Sequence, residues 1–134
     1  MSHAKKTAAG ICLIGILNLF GCAVSGPVQS IQSGKSGFDG AAYPGVTRIV
    51  VDDPAELEKY PLDLQYSIFE QSATGYGSIP EARDQAEPRA KEFCRSKNKA
   101  MKTLKEITST PPHILGNWPR IEIIFVCIER PVKT

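Results

Sequence analysis

The sequence has few of the residues from which active sites are built. It contains two histidines, and only His113 lies beyond residue 21. It has no Gly-x-Ser-x-Gly elbow, no His-Glu-x-x-His pair, no phosphate-binding loop and no Rossmann glycine pattern. An enzyme needs a nucleophile, a base and an electrophile that converge on one place. We therefore expect a non-enzymatic protein that uses no cofactor and no metal ion.

Long hydrophobic runs and an excess of one charge are also missing. The main apolar stretch, Ile11–Phe20, is about half as long as a membrane-spanning helix requires. The chain has 16 Lys and Arg against 14 Asp and Glu. It has no basic stripe interleaved with aromatic residues, a pattern that is typical of nucleic-acid-binding proteins. Nucleic acid is therefore not an expected partner.

The first 22 residues have the parts of an export signal. Lys5 and Lys6 precede the apolar stretch, and Gly21 stands directly before Cys22. A cysteine in this place resembles the lipobox of bacterial lipoproteins. The resemblance implies removal of residues 1–21 by the lipoprotein signal peptidase, diacylglyceryl transfer to the Cys22 thiol and acylation of the new amino terminus. A retained transmembrane anchor and an ordinary signal peptide with an unmodified cysteine are the alternatives.

The same resemblance predicts a location. Family members carry three acyl chains, which would make anchoring effectively permanent, whereas one chain alone binds a membrane reversibly. The residue after the lipidated cysteine influences sorting, and Ala23 in place of Asp implies the outer membrane, with the protein facing the periplasm. Anchoring in the inner membrane is the alternative. Loss of the two signal-peptide lysines leaves fourteen basic and fourteen acidic residues in the processed chain.

Two cysteines remain after processing. Cys12 lies in the signal peptide and Cys22 would carry lipid, which leaves Cys94 and Cys127. In an oxidising periplasm such a pair usually forms a disulfide. The alternatives are two reduced thiols in the core or a metal site.

Three segments follow from composition: the signal peptide 1–21, a lipidated terminus with a flexible linker over 22–45, and one small periplasmic domain over 46–134. The linker is rich in glycine and serine and has few large apolar side chains. Such a segment buries too little surface to offset its conformational entropy. As a coil of this length it would hold the domain roughly 25 Å from the membrane on average.

Within the domain, short patterns predict the elements. The run Thr47–Val51 is typical of a strand, and Asp53 followed by proline predicts one helical turn over Pro54–Lys59. The alternation of apolar residues from Leu62 to Ile68 predicts a half-buried strand. We prefer a strand to a helix for residues 100–108, and a central strand is predicted for residues 121–128, which are apolar on both faces.

The clearest predicted element is a helix that starts at Ser78. Ser78 and Glu81 form a capping-box pattern, and Pro80 lies in the first turn. One face carries small and apolar side chains: Ala82, Ala86, Ala90, Phe93 and Cys94. We expect Pro88 to kink this helix and Asn98 to adopt a left-handed conformation after it. The predicted fold class is α+β, with one long helix packed on a mostly antiparallel sheet of three or four strands.

Two loops are candidates for a contact surface. The loop 110–119 carries Ile114, Leu115 and the single tryptophan, Trp118, between prolines that restrict the backbone. Tyr76 lies in the glycine-rich loop before the helix. Exposed aromatic side chains on a restricted backbone are typical of protein-binding sites. The alternative is that the apolar side chains of loop 110–119 fold back to cap the core.

Part of the domain resembles known envelope proteins. The run from Ala86 to Met101 and the run from Pro119 to Cys127 are similar to small uncharacterised lipoproteins of proteobacteria, and the layout is distantly similar to envelope-stress sensor lipoproteins of the Rcs type. The resemblance implies a fold and no activity. The expected function is a non-enzymatic, membrane-anchored protein-interaction module of the periplasm. The alternatives are a module that binds a small molecule or cell-wall glycan, and a component of a secretion or conjugation apparatus.

Overall fold

The computed structural model describes residues 23–32, 34–39 and 47–131. The predictions for the signal peptide, for Cys22 and for the domain boundary at residue 46 lie outside these residues. In the described part of the chain, no helix has the length and apolar character needed to cross a membrane.

A six-stranded sheet forms the centre of the fold. Its strand order is β1-β4-β6-β5-β3, with β2 also paired to β4, and every neighbouring pair is antiparallel. The strands are β1 (Val24–Ser25), β2 (Gln29–Ser30), β3 (Thr47–Val51), β4 (Gln65–Gln71), β5 (Lys99–Ser109) and β6 (Arg120–Glu129). The predicted α+β class with a mostly antiparallel sheet is confirmed. The predicted number of three or four strands is too low.

In the part of the chain that the structure describes, two α-helices accompany the sheet. Helix α1 (Pro54–Lys59) is capped by the Asp53 side chain, which accepts a hydrogen bond from the Ala55 amide at 2.9 Å. Helix α2 (Ile79–Arg95) begins with the predicted capping box between Ser78 and Glu81. The prediction of one long helix holds for α2, and α1 adds a second, shorter helix.

The core lies between α2 and one face of the sheet. The buried side of the helix is formed by alanines and Cys94, whose small side chains let the helix lie close to the strands. The sheet contributes large side chains that are almost fully buried: Ile68, Ile121, Ile123 and Phe125. Strand β6 is central, as its two apolar faces predict.

The predicted strand over Leu62–Ile68 starts too early. Residues Leu62–Leu64 form a short 3-10 helix, and β4 begins at Gln65. The Leu62 and Leu64 side chains are more than half exposed. Their alternation with polar residues therefore does not reflect a buried strand face. Pro61 stands before the 3-10 helix, where its missing amide hydrogen costs nothing.

The structure also differs from the predicted linker over the residues of 23–39 that it describes. β1 and β2 pair with β4, and Val28 packs against the core. The segment 34–39 then crosses the sheet face opposite α2. There the Phe38 ring meets Phe69 edge-on at 5.8 Å, and Ser36 donates a hydrogen bond to the buried Glu122 carboxylate. Contacts with specific side chains thus compensate for the low apolar content of this segment.

Candidate interaction surface

Two loops meet at the end of the sheet where β4 ends and β6 begins. The Ser72 amide donates a hydrogen bond to the Pro119 carbonyl oxygen at 2.8 Å. Gly75 packs so tightly that a Cβ atom there would lie 2.1 Å from the His113 carbonyl oxygen and 3.1 Å from the Trp118 ring. The two loops that the sequence identified separately therefore form one surface. We call it the tip surface and define it by Tyr76, Ile114, Leu115 and Trp118.

Three of the four tip side chains are exposed. The Tyr76 side chain is fully exposed, Leu115 is 84% exposed and Ile114 is 56% exposed. Trp118 is half-buried beneath Gly75. The two aliphatic side chains face solvent and do not fold back onto the core.

A buried asparagine holds loop 110–119 in shape. The Asn117 side-chain amide donates hydrogen bonds to the carbonyl oxygens of Thr110 at 2.9 Å and Pro112 at 2.8 Å. Its backbone amide donates to the Ile114 carbonyl oxygen at 3.0 Å, and its side-chain oxygen accepts from Arg120. Asn117 is 2% exposed. The Asn117 side chain therefore joins both strand-side ends of the loop, and its backbone amide closes the turn.

The Ser109 hydroxyl adds a second set of contacts to the same loop. It donates to the Trp118 carbonyl oxygen at 3.3 Å, accepts from the Arg120 backbone amide at 3.1 Å and lies 3.2 Å from the His113 Nε2 atom. The Arg120 guanidinium stacks over the Phe38 ring, and burial lowers the pKa of Arg120. These contacts position the loop.

The backbone at the turn is strained. Leu115 has a φ angle of +51°, and Gly116 follows with a φ angle of +89°. A left-handed conformation costs a residue with a β-carbon about 1–2 kcal/mol. Strained residues that the surroundings hold in place are frequent at ligand-contacting sites. In this left-handed conformation, the Leu115 side chain faces solvent.

We expect Leu115→Gly to raise the free energy of unfolding by about 0.5 kcal/mol, because relief of the left-handed strain exceeds the added backbone entropy of the unfolded chain. Urea unfolding measured by circular dichroism tests this. The matched control is Ile114→Gly, where φ is negative and only the entropic cost remains; it should lower stability. Equal destabilisation by both substitutions would contradict the strain argument.

A second exposed apolar region lies along strand β3. β3 pairs with β5 on one side and, within the part of the chain that the structure describes, with no strand on the other. The Ile49 side chain is 56% exposed, and Val50 is also exposed. Beside the strand, a groove of about 400 Å³ extends towards the start of α2 and is lined in part by Arg48 and Arg83. A hydrogen-bonded ion pair with Glu106 raises the pKa of Arg83.

The structure does not assemble the aromatic groove that a glycan site would need. Tyr66 lies near the start of β4, where its ring contacts Phe93 and Phe125. Tyr76 and Trp118 lie at the opposite end of that strand. Within residues 23–32, 34–39 and 47–131, no three His, Cys, Asp or Glu side chains are grouped so that they could hold a metal ion.

Sequence reasoning missed how the N-terminal segment approaches this end of the sheet. The Glu70 carboxylate is almost fully buried and accepts hydrogen bonds from the Ser25 hydroxyl at 2.6 Å and the Arg89 guanidinium at 3.1 Å. Arg89 also donates to the Gly26 carbonyl oxygen. Strands of two residues have no periodicity to detect, and the partners are about fifty residues apart in the chain. Only the apolar Val24 and Val28 within a glycine- and serine-rich segment hint at this arrangement.

Comparisons with protein-family models, with curated proteins and with solved structures found no match.

Proposed function

We propose that this protein is a non-enzymatic lipoprotein of the bacterial envelope, anchored through Cys22 in the outer membrane, whose domain binds another protein in the periplasm. The export signal ending at Gly21-Cys22 supports the anchor. Two further features support an interaction role. The sequence has no catalytic motif, and the buried polar residues of the domain serve the fold.

The observation that carries the proposal is the outer edge of β3, which pairs with no further strand among the described residues. Proteins usually protect exposed edge strands, because the outward-facing amide and carbonyl groups pair readily with another chain. At the opposite edge of the sheet, β1 and β2 pair with part of β4. β3 instead presents β-branched side chains to solvent at Ile49 and Val50. An extended segment of a partner could add to this edge through main-chain hydrogen bonds, with its side chains in the adjacent groove.

Two experiments test the proposal in cells. Metabolic labelling with an alkyne fatty acid should mark the wild-type protein and leave Cys22→Ala unmarked. A photo-crosslinking amino acid at position 49 should then give a discrete protein adduct, whereas the same group at Leu62, which is equally exposed but lies in the 3-10 helix before β4, should not.

Val50→Lys is the matched disruption, since a lysine on an edge strand disfavours pairing with a further strand. It should remove the adduct at position 49 without changing the circular dichroism spectrum. Adducts of equal yield at positions 49 and 62, or an adduct that survives Val50→Lys, would refute binding at this edge.

A further inference from the structure

The residue before β1 lies at the same end of the sheet as the tip surface. Val24 pairs with Gln71 and Ser25 with Glu70, so β1 runs antiparallel to β4. Ala23, on the N-terminal side of Val24, therefore lies beyond the end of β4. Ala23, the first described residue, lines a shallow cleft together with Ser72, from which the Tyr76 loop starts.

This position is fixed rather than reached through a spacer. The buried Glu70 carboxylate holds Ser25, and Arg89 joins Glu70 to the Gly26 carbonyl oxygen. The Gly26 amide donates to the Phe69 carbonyl oxygen at 2.9 Å. Cys22 directly precedes Ala23, and consecutive Cα atoms are about 3.8 Å apart. An acyl group on Cys22 would thus start next to the loops of the tip.

The tip surface differs in chemistry from the opposite end of the sheet. It consists of Tyr76, Ile114, Leu115 and Trp118 and has no charged side chain of its own. The exposed Val24 lies at the same end, and the exposed Glu81 and Arg48 lie at its margin. The opposite end carries exposed charged residues, among them Lys97, Glu129 and Arg130. Tyrosine and tryptophan accompanied by aliphatic side chains are typical of protein surfaces at a membrane–water interface.

We propose that the tip surface rests on the lipid bilayer that holds the Cys22 anchor, with Leu115, Ile114 and Tyr76 in the headgroup region. The inference depends on the proposed lipidation. It gives the domain a defined orientation. The tip end of the strands lies at the membrane surface, and the charged end points into the periplasm. The β3 edge then lies on the side of the domain, where a partner can reach it.

The single tryptophan provides the test. The full-length lipidated protein is placed in vesicles of phosphatidylethanolamine and phosphatidylglycerol, with or without lipids that carry a spin-label quencher near the headgroup. The quencher lies at the depth that interfacial side chains reach, and Trp118 belongs to the tip. We therefore expect Trp118 emission to be about twofold lower in these vesicles than in vesicles without the quencher.

The variants separate contact at the tip from simple proximity. Leu115→Asp should reduce the quenching strongly, and aspartate tolerates the left-handed backbone better than leucine does. Leu62→Asp, an equally polar change on an exposed leucine at the far end of β4, should leave it unchanged.

Each outcome has a definite meaning. Lipidated protein without quenching, or quenching that persists in Leu115→Asp, would overturn the bilayer contact and leave the lipoprotein proposal standing. An intact mass without acyl chains would instead refute the proposed anchoring. In cells, a photo-crosslinker at position 115 should yield lipid adducts. A protein adduct in their place would overturn the inference by showing that the tip contacts a partner.

Discussion

Replacing both Cys94 and Cys127 with alanine is expected to lower the free energy of unfolding by about 4 kcal/mol. The two cysteines are bonded in the structure, with their Cα atoms 5.3 Å apart and 33 positions apart in sequence, which confirms the predicted pair. The bond closes a loop of this size in the unfolded chain and so removes conformations that the unfolded state would otherwise sample. It joins the last turn of α2 to the central strand β6. For a domain whose total stability is of the order of 5–15 kcal/mol, this loss is large.

Urea unfolding followed by Trp118 emission measures the effect, and a reductant provides the control. Wild-type protein under reducing conditions should approach the stability of the double variant, whereas the double variant should not respond to reductant. A double variant that unfolds at the wild-type urea concentration would show that the loop is already restricted in the unfolded state.

Several elements could be predicted because their signals are local. The Asp53 cap with the following proline defines α1, and Ser78 with Glu81 defines the start of α2. Each of these patterns satisfies amide groups that a helix end leaves open, so it acts within four residues. The predicted left-handed residue Asn98 is confirmed by a φ angle of +58°. The helix continues through Pro88 to Arg95.

Other features depend on contacts between distant parts of the chain. No pattern in residues 24–30 predicts pairing with β4, because the contacts that hold them include the buried Glu70 and Arg89 side chains. The alternation at Leu62 and Leu64 indicated a strand, but local geometry after Pro61 produced a 3-10 turn. Composition alone cannot separate a glycine-rich linker from a glycine-rich segment that lies against aromatic rings, as Gly37 does against Phe69.

The candidate site also combines features that local sequence predicts with features that depend on distant contacts. The sequence identified Tyr76, Ile114, Leu115 and Trp118 as residues of two loops, and exposure is a local property that prolines and glycines partly predict. That the loops form one surface follows from the register of β4 and β6, in which Gln71 pairs with Arg120. The position of Ala23 beside Ser72, on which the proposed orientation on a membrane rests, required the full topology.

Asn117→Ala is expected to lower the free energy of unfolding by about 2 kcal/mol, since it removes three hydrogen bonds made by a buried side chain. The three contacts are those to Thr110, Pro112 and Arg120. The variant keeps the backbone hydrogen bond from residue 117 to Ile114, but without the side-chain contacts the turn should be less rigid. Hydrogen exchange of amides in loop 110–119 should therefore become faster than the loss of global stability alone explains.

The control for this variant is Gln85→Ala on the exposed side of α2, where alanine favours the helix. It should change stability by less than about 0.5 kcal/mol. If Asn117 holds the tip in shape, Asn117→Ala should also weaken the lipid-dependent quenching of Trp118, because the aliphatic side chains would no longer be presented together. Unchanged stability and unchanged exchange in loop 110–119 would mean that the prolines restrict the loop by themselves, and that the buried amide is not what keeps Leu115 in its left-handed conformation.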